Sequence, residues 1–144
     1  MNITIRRAEE SELDWINEKY DEIDFVHSKL DQGLIAIAEV DGKRAGIGRL
    51  IDIDEDNGEL SGMYVFDEFR GLGVSRQIVS FLLENRGQIE NIFCLPFVHL
   101  EKLYKSFGFE RSESIENAPK KVRDKFEWCN EHYEHEVLLL LKED

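Results

Sequence analysis

The chain is short of cysteine, proline, long apolar runs and positive charge, and each shortage excludes something. Only two cysteines, Cys94 and Cys129, occur in 144 residues. They form no CxxC pair and stand among apolar or aromatic neighbours, so two reduced, buried thiols are expected rather than a disulfide scaffold. The four histidines, His27, His99, His132 and His135, are scattered. His132 and His135 lie close in sequence, but no cysteine or carboxylate motif completes a ligand set, so no metal is expected. There is no Pro/Ser-rich linker, no internal repeat and no low-complexity segment, and 1–144 reads as a single domain. No apolar run approaches the ~20 residues a membrane helix needs. The opening Met-Asn-Ile-Thr-Ile-Arg-Arg lacks the apolar stretch of a secretion signal. A cytoplasmic protein without a membrane partner is expected.

Basic side chains number 18 against 31 acidic ones, a net charge of −13. So acidic a chain makes nucleic acid a poor partner, because phosphate backbones need basic faces. The charge is unevenly spread. Residues 1–67 hold 7 basic and 17 acidic side chains, 68–98 hold 3 and 3, 99–125 hold 7 and 5, and 126–144 hold 1 and 6. The middle of the chain tolerates an anionic ligand, while the two ends attract a cation. Solubility alone is the plainer account of the acidity.

Periodicity gives a mixed α/β order. Ile3 to Arg7 alternates as a strand. Ser11, with Asp14 three residues on, has capping-box spacing, and Leu13, Ile16, Tyr20 and Ile23 mark one helix face. A second short helical piece is expected over 25–30. Strands follow over 34–40, 44–53 and 59–66, with Asp41-Gly42 as a hairpin turn. Val74, Ile78 and Leu82 recur at helical spacing. A buried strand over 92–95, a helix over 98–107 closed by Gly108, a strand from Phe109, a helix starting near Pro119 and an apolar strand over 137–141 complete the chain. The helix after Pro119 places Phe126, Trp128 and Tyr133 either as a pocket wall or as core.

The chemistry concentrates where a strand ending in Met63-Tyr64-Val65 runs into Arg70-Gly71-Leu72-Gly73-Val74-Ser75 and a helix begins. Glycines let a backbone turn sharply and approach a ligand. A helix start offers unpaired N–H groups and partial positive charge, which together suit a phosphate or pyrophosphate. No Gly-Lys-Ser/Thr follows, so this is not a Walker loop, and Arg76 breaks the GxGxxG pattern.

These residues resemble the pyrophosphate loop of the GNAT superfamily of acyl-CoA-dependent N-acyltransferases, Gln/Arg-x-x-Gly-x-Gly/Ala, with Ser75 in the last place. Leu103-Tyr104-Lys105-Ser106-Phe107-Gly108-Phe109 resembles the family's LYxxxGF helix end. The resemblance runs from the first strand to about Phe109. It implies a mostly antiparallel seven-stranded sheet flanked by helices and acetyl-CoA as cosubstrate without a metal. It implies direct transfer of the acetyl group to an amine.

The resemblance also assigns roles. Met63, Tyr64, Val65 and the stretch Arg70, Gly71, Leu72, Gly73, Val74 and Ser75 would hold the cofactor, with the backbone N–H near Val65 as oxyanion donor. The family often places Asn and Ala where this chain has Phe97 and Leu100, so side-chain bonding to the pantetheine arm at Phe97 is a departure. Tyr104 would lie near the sulfur as the acid for the leaving thiolate; otherwise it is a packed ring. Glu59 would be the base, acting through water; otherwise it is an exposed carboxylate beside a turn. Glu55, Asp56 and His99 are fallbacks, and Cys94 as an acyl carrier is disfavoured by its apolar strand. The family's acceptor side is built from the first two helices and last strands, both acidic here. A cationic small-molecule or peptide amine is therefore the expected partner, and a homodimer is left open. The competing expectations are a CoA-binding sensor without turnover and an enzyme with another acyl group or acceptor.

Overall fold

The computed structural model describes residues 1–112 and 114–143. Strands and helices follow in the order β1 (Ile3–Arg7), α1 (Leu13–Asp21), β2 (Gly33–Val40), β3 (Lys43–Asp52), β4 (Asn57–Val65), α2 (Val74–Glu84), β5 (Asn91–Cys94), α3 (Glu101–Lys105), β6 (Glu110–Arg111), α4 (Lys120–His132) and β7 (Leu140–Glu143). The strands form one seven-stranded sheet in the order β1-β2-β3-β4-β5-β7-β6. β2 pairs antiparallel with β1 and β3, and β7 pairs antiparallel with β5 and β6. β4 and β5 are parallel, with Asn57 opposite Asn91 and Leu60 opposite Cys94. A parallel pair needs a long crossover, and α2 supplies it. The sheet is thus mixed, mostly antiparallel and flanked by helices, as the resemblance implies. At the β2–β3 turn, Asp41 and Gly42 both have left-handed backbones (φ 51° and 84°), the requirement of a type I′ hairpin.

Packing divides the chain into two compact units. The first comprises Met1–Ile51 and Ser61–Gly87. Its core joins Ile16 and Tyr20 of α1 to Ile35 and Ile37 of β2 and Ile47 of β3. α2 buries Val74, Ile78, Val79 and Leu82, one face at helical spacing. The helix rides close on β3 because Gly46 and Gly48 carry no side chain. A Cβ on Gly48 would stand 2.5 Å from Ile78 Cγ2 and 2.7 Å from Met63 Sδ, and one on Gly46 would stand 3.0 Å from the Tyr64 carbonyl oxygen. That contact is steric, and any residue larger than glycine forces the layers apart.

Two local expectations in this unit need correction. Ser11 does not cap α1. A 3-10 turn, Glu10–Glu12, precedes the helix, and Glu9 with Glu12 forms the capping box instead. Glu12 prevails because its carboxylate also accepts from Arg6 at 2.7 and 2.9 Å and pairs with Arg44 at 2.9 Å. No α-helix covers 25–30; only the 3-10 turn Leu30–Gln32 follows α1. Asp24 breaks the helix with a left-handed backbone (φ 56°). The Asn17 side chain then accepts from Ser28 N–H at 2.7 Å and donates to its carbonyl at 3.2 Å, holding that segment outside any helix.

The second unit comprises Asp52–Leu60 and Gln88–Asp144. Phe93 of β5, Ala118, Val122 of α4 and Leu139 form its core, with Ile53, Leu95, Ile115, Phe126 and Leu141 around them. The helix expected over 98–107 resolves into a 3-10 turn, Val98–Leu100, then the short α3, which ends where Tyr104 C=O accepts from the Phe107 and Phe109 N–H groups. The last strand starts later than its apolar run suggests. Val137 makes a single bridge to Phe97, Asn130 takes up its N–H and C=O, and regular pairing begins at Leu140. Phe126 packs in the core, whereas Trp128 is 50% exposed, so α4 is a cover whose aromatics divide between inside and outside.

Candidate active site

In the first unit the candidate site is a backbone feature. Gly73 stands at the N-cap of α2 with a left-handed backbone (φ 83°), which residues with a Cβ rarely adopt. No side chain caps this end and no acidic residue occupies the first turn, so the partial positive charge there is uncompensated. Ser75 lies inside the helix and does not cap it. A Cβ on Gly71 or Gly73 would meet nothing within 4 Å, so the space beside the loop backbone is open. Val74 is buried and anchors the helix, while Gly71, Leu72 and Gly73 are exposed. Arg70 ties the loop to the end of β4, its Nε donating to Val65 C=O at 3.4 Å and lying 3.3 Å from Asp67. Open backbone, a free helix start and no nearby acid in the first turn fit a phosphate-bearing cosubstrate.

β4 leads into that loop. Its pairing with β5 runs from Asn57 to Leu60 and stops, and Gly62 then takes a left-handed backbone (φ 64°). Met63, Tyr64 and Val65 are half-buried. The Tyr64 hydroxyl donates to Glu22 at 3.3 Å, and its pKa is raised by burial first and by the Glu22 charge second.

In the second unit the candidates are side chains, and they are buried. Tyr104 on α3 is 4% exposed, with its ring edge-on to Phe109. Its hydroxyl shares a hydrogen bond with the Cys94 thiol of β5, and burial raises the pKa of both groups. A raised thiol pKa disfavours the thiolate and weighs further against Cys94 as an acyl carrier. Tyr104 is a neutral phenol that keeps its proton through the whole physiological range.

Glu59 differs from the exposed carboxylate that a turn-side position suggests. It is buried and accepts from Lys125 Nζ of α4 at 2.5 Å. Residues 58–62 are all buried, so both faces of β4 are covered there. The partner Lys125 was missed, although a signal existed. It lies three residues after Val122 and four before Cys129, both buried, so helical spacing puts it beside the covered face. Phe97 stacks on His99 and meets Tyr133 edge-on, and it is half-buried like Leu100. Among the described residues no group of three or more His, Cys, Asp or Glu could hold a metal ion, and no helix is long and apolar enough to cross a membrane.

Comparison with known proteins gives the family and the fold. The family model of the acetyltransferase (GNAT) domain matches residues 31–111, more than half of the chain. The protein belongs to the GNAT acetyltransferase family. Its fold is shared with Rv2747 from Mycobacterium tuberculosis in complex with CoA (21% identity, TM-score 0.75, covering 98% of this chain and 99% of that one). It is shared with a GNAT family acetyltransferase from Elizabethkingia anophelis with acetyl-CoA bound (16% identity, TM-score 0.69, covering 99% of both). It is shared too with N-acetylglutamate synthase from Neisseria gonorrhoeae in complex with coenzyme A and N-acetyl-glutamate (18% identity, TM-score 0.72). The chain spans about a third of that synthase, 35% of its length. No curated protein matches the chain in sequence.

Proposed function

We propose that residues 1–144 act as one N-acetyltransferase domain that moves the acetyl group of acetyl-CoA onto a primary amine by direct attack. The loop carries this reading: an open glycine backbone at an uncapped helix start, in a chain of the GNAT family. Acetyl-CoA supplies the thioester, whose C–S bond breaks as the N–C bond forms, one proton leaving the amine and one joining the sulfur. Loop N–H groups between Arg70 and Ser75 bind the pyrophosphate. The β4 backbone at Met63, Tyr64 and Val65 aligns the acyl end, with the Val65 N–H turned to the carbonyl oxygen. Phe97 and Leu100 contribute apolar contact to the arm.

Burial keeps the Tyr104 phenol protonated at rest though it weakens it as an acid, and its O–H donates to the developing thiolate as the C–S bond breaks. Glu59 receives the amine proton through water, with Lys125 balancing its charge. The acceptor is a small molecule or peptide in the cytoplasm whose ammonium is drawn by the acidic segments 1–67 and 126–144.

One observation favours a second reading, a CoA sensor without turnover. Both candidate side chains already have partners, Tyr104 in Cys94 and Glu59 in Lys125. Thiol release from acetyl-CoA across a panel of amines, peptides and antibiotics separates the two. Amine-dependent release is the expected result. Acetyl-CoA binding by calorimetry with no release for any amine supports the sensor and overturns the enzyme.

A further inference from the structure

Arg49 of β3 is a buried guanidinium without a counter-charge. The residue is 7% exposed. Its Nε donates to Ser61 Oγ at 3.3 Å, and its Nη1 donates to Val26 C=O at 3.0 Å and Ser28 Oγ at 2.5 Å. Its guanidinium carbon lies 4.5 Å from the centre of the Tyr20 ring, and the Tyr20 hydroxyl donates to Gly62 C=O at 2.7 Å. Every acceptor it meets is neutral. Arg6 and Arg44 share Glu12, Arg70 has Asp67 and Arg111 has Glu101, but among the described residues no carboxylate pairs with Arg49.

The backbone of β4 is shaped around this group. A Cβ on Gly62 would stand 2.5 Å from Arg49 Nε and 2.6 Å from the Tyr20 hydroxyl, so only glycine admits both. Three of the five guanidinium N–H groups are used, and the two on Nη2 have no acceptor among the described residues. Nor is Nη2 fully sealed away: among the described residues the fully buried side-chain nitrogen lacking a partner is Arg123 Nε. A desolvated cation with open donors on Nη2 suits an oxyanion, which Nη2 can meet through a charge-assisted hydrogen bond. Its support, Ser61-Gly62, runs directly into Met63-Tyr64-Val65, and its other contact, 26–28, follows α1.

We propose that Arg49 receives a carboxylate of the acceptor, so that the substrate is an amino acid or short peptide bearing a free carboxylate near the amine that is acetylated. This rests on the acetyltransferase reading and narrows it: the acidic surface draws the ammonium, and Arg49 selects its carboxylate neighbour. The simpler alternative is a brace that pins Val26 and Ser28 to the sheet.

Amine pairs that differ only in the carboxylate decide between them in the wild-type protein: ornithine against putrescine, lysine against cadaverine, tryptophan against tryptamine. The carboxylate member should have kcat/KM at least roughly 10-fold higher, mainly through KM. Arg49→Lys should shrink the ratio to about 3-fold or less while acetyl-CoA affinity holds, since a lysine ammonium places no donor where Nη2 stands. Equal or better rates with the decarboxylated member in every pair overturn the proposal. If no amine is acetylated, the enzyme reading fails and binding decides. The Nε–H resonance of Arg49, assigned by its loss in Arg49→Lys, should then shift saturably with N-acetylglycine and not with N-methylacetamide. Absence of a saturable shift overturns it.

Discussion

The loop at Arg70–Ser75 and the cluster around Tyr104 would handle a ligand in different ways. In the loop the useful groups are backbone N–H groups, exposed and open on one side. Around Tyr104 they are side chains, buried and already bonded to one another. A backbone site depends on φ angles and a helix start, both fixed by local sequence. A side-chain site depends on partners that arrive from distant positions, as Glu59 meets Lys125 across 66 residues. The first kind shows itself as a motif; the second shows only its anchor.

Tyr104→Phe tests the buried cluster most sharply. Ring packing on Phe109 survives and only the hydroxyl is lost. For an acid on the leaving sulfur, kcat should fall roughly 10²-fold with acetyl-CoA affinity little changed. Equal kcat, with chemistry rate-limiting, would remove Tyr104 from the mechanism.

Two buried carboxylates extend the contrast. Glu12 is held by two arginines and a backbone N–H, whereas Glu59 has one lysine. Arg6 first, then the Glu9 N–H and the charge of Arg44, lower the Glu12 pKa to about 2 against the opposing effect of burial. A depressed carboxylate pKa stabilises the fold above its unfolded value of ~4.5, and that contribution is lost as pH falls toward 2. Glu12→Gln should therefore cost about 3 kcal/mol at pH 7, read by denaturant unfolding, and the gap from wild type should close between about pH 4.5 and 2. A gap independent of pH would mean that Glu12 acts by packing alone.

For the loop, Gly73→Val should weaken acetyl-CoA binding at least ~10-fold, about 1.4 kcal/mol, because valine resists the left-handed backbone. Unchanged affinity in a folded variant would sink the site. Ser75→Gly should shift affinity less than about 3-fold, since the Ser75 hydroxyl caps nothing. The smallest effect concerns steering. Raising salt should lower kcat/KM for a cationic acceptor roughly 3-fold with kcat steady, and neutralising Asp21, Glu22 and Asp24 together should flatten the trend. An identical salt response for neutral acceptors would assign the acidity to solubility.

The fold was largely legible because its signals are local. Val74, Ile78 and Leu82 declare α2, Asp41-Gly42 declares the hairpin, and the loop motif places the parallel crossover. What escaped depended on tertiary competition. Ser11 is a plausible cap until Glu12 finds Arg6 and Arg44. The segment 25–30 looks helical until Asn17 takes both backbone groups of Ser28. Glu59 looks exposed until α4 covers it. Arg49 carries no sequence signal at all, since an arginine within a strand reads as an outward-facing charge.

The state of the two thiols reaches into how this protein is handled. Cys94 and Cys129 are both buried, and burial raises the pKa of each. Thiolates react with disulfide reagents and alkylators, and neither cysteine presents one near neutral pH. A chromogenic disulfide added to the native protein therefore reports free coenzyme thiol against a nearly silent background. The same reagent turns into a clock for unfolding, because each thiol is unmasked only when the packing around it opens.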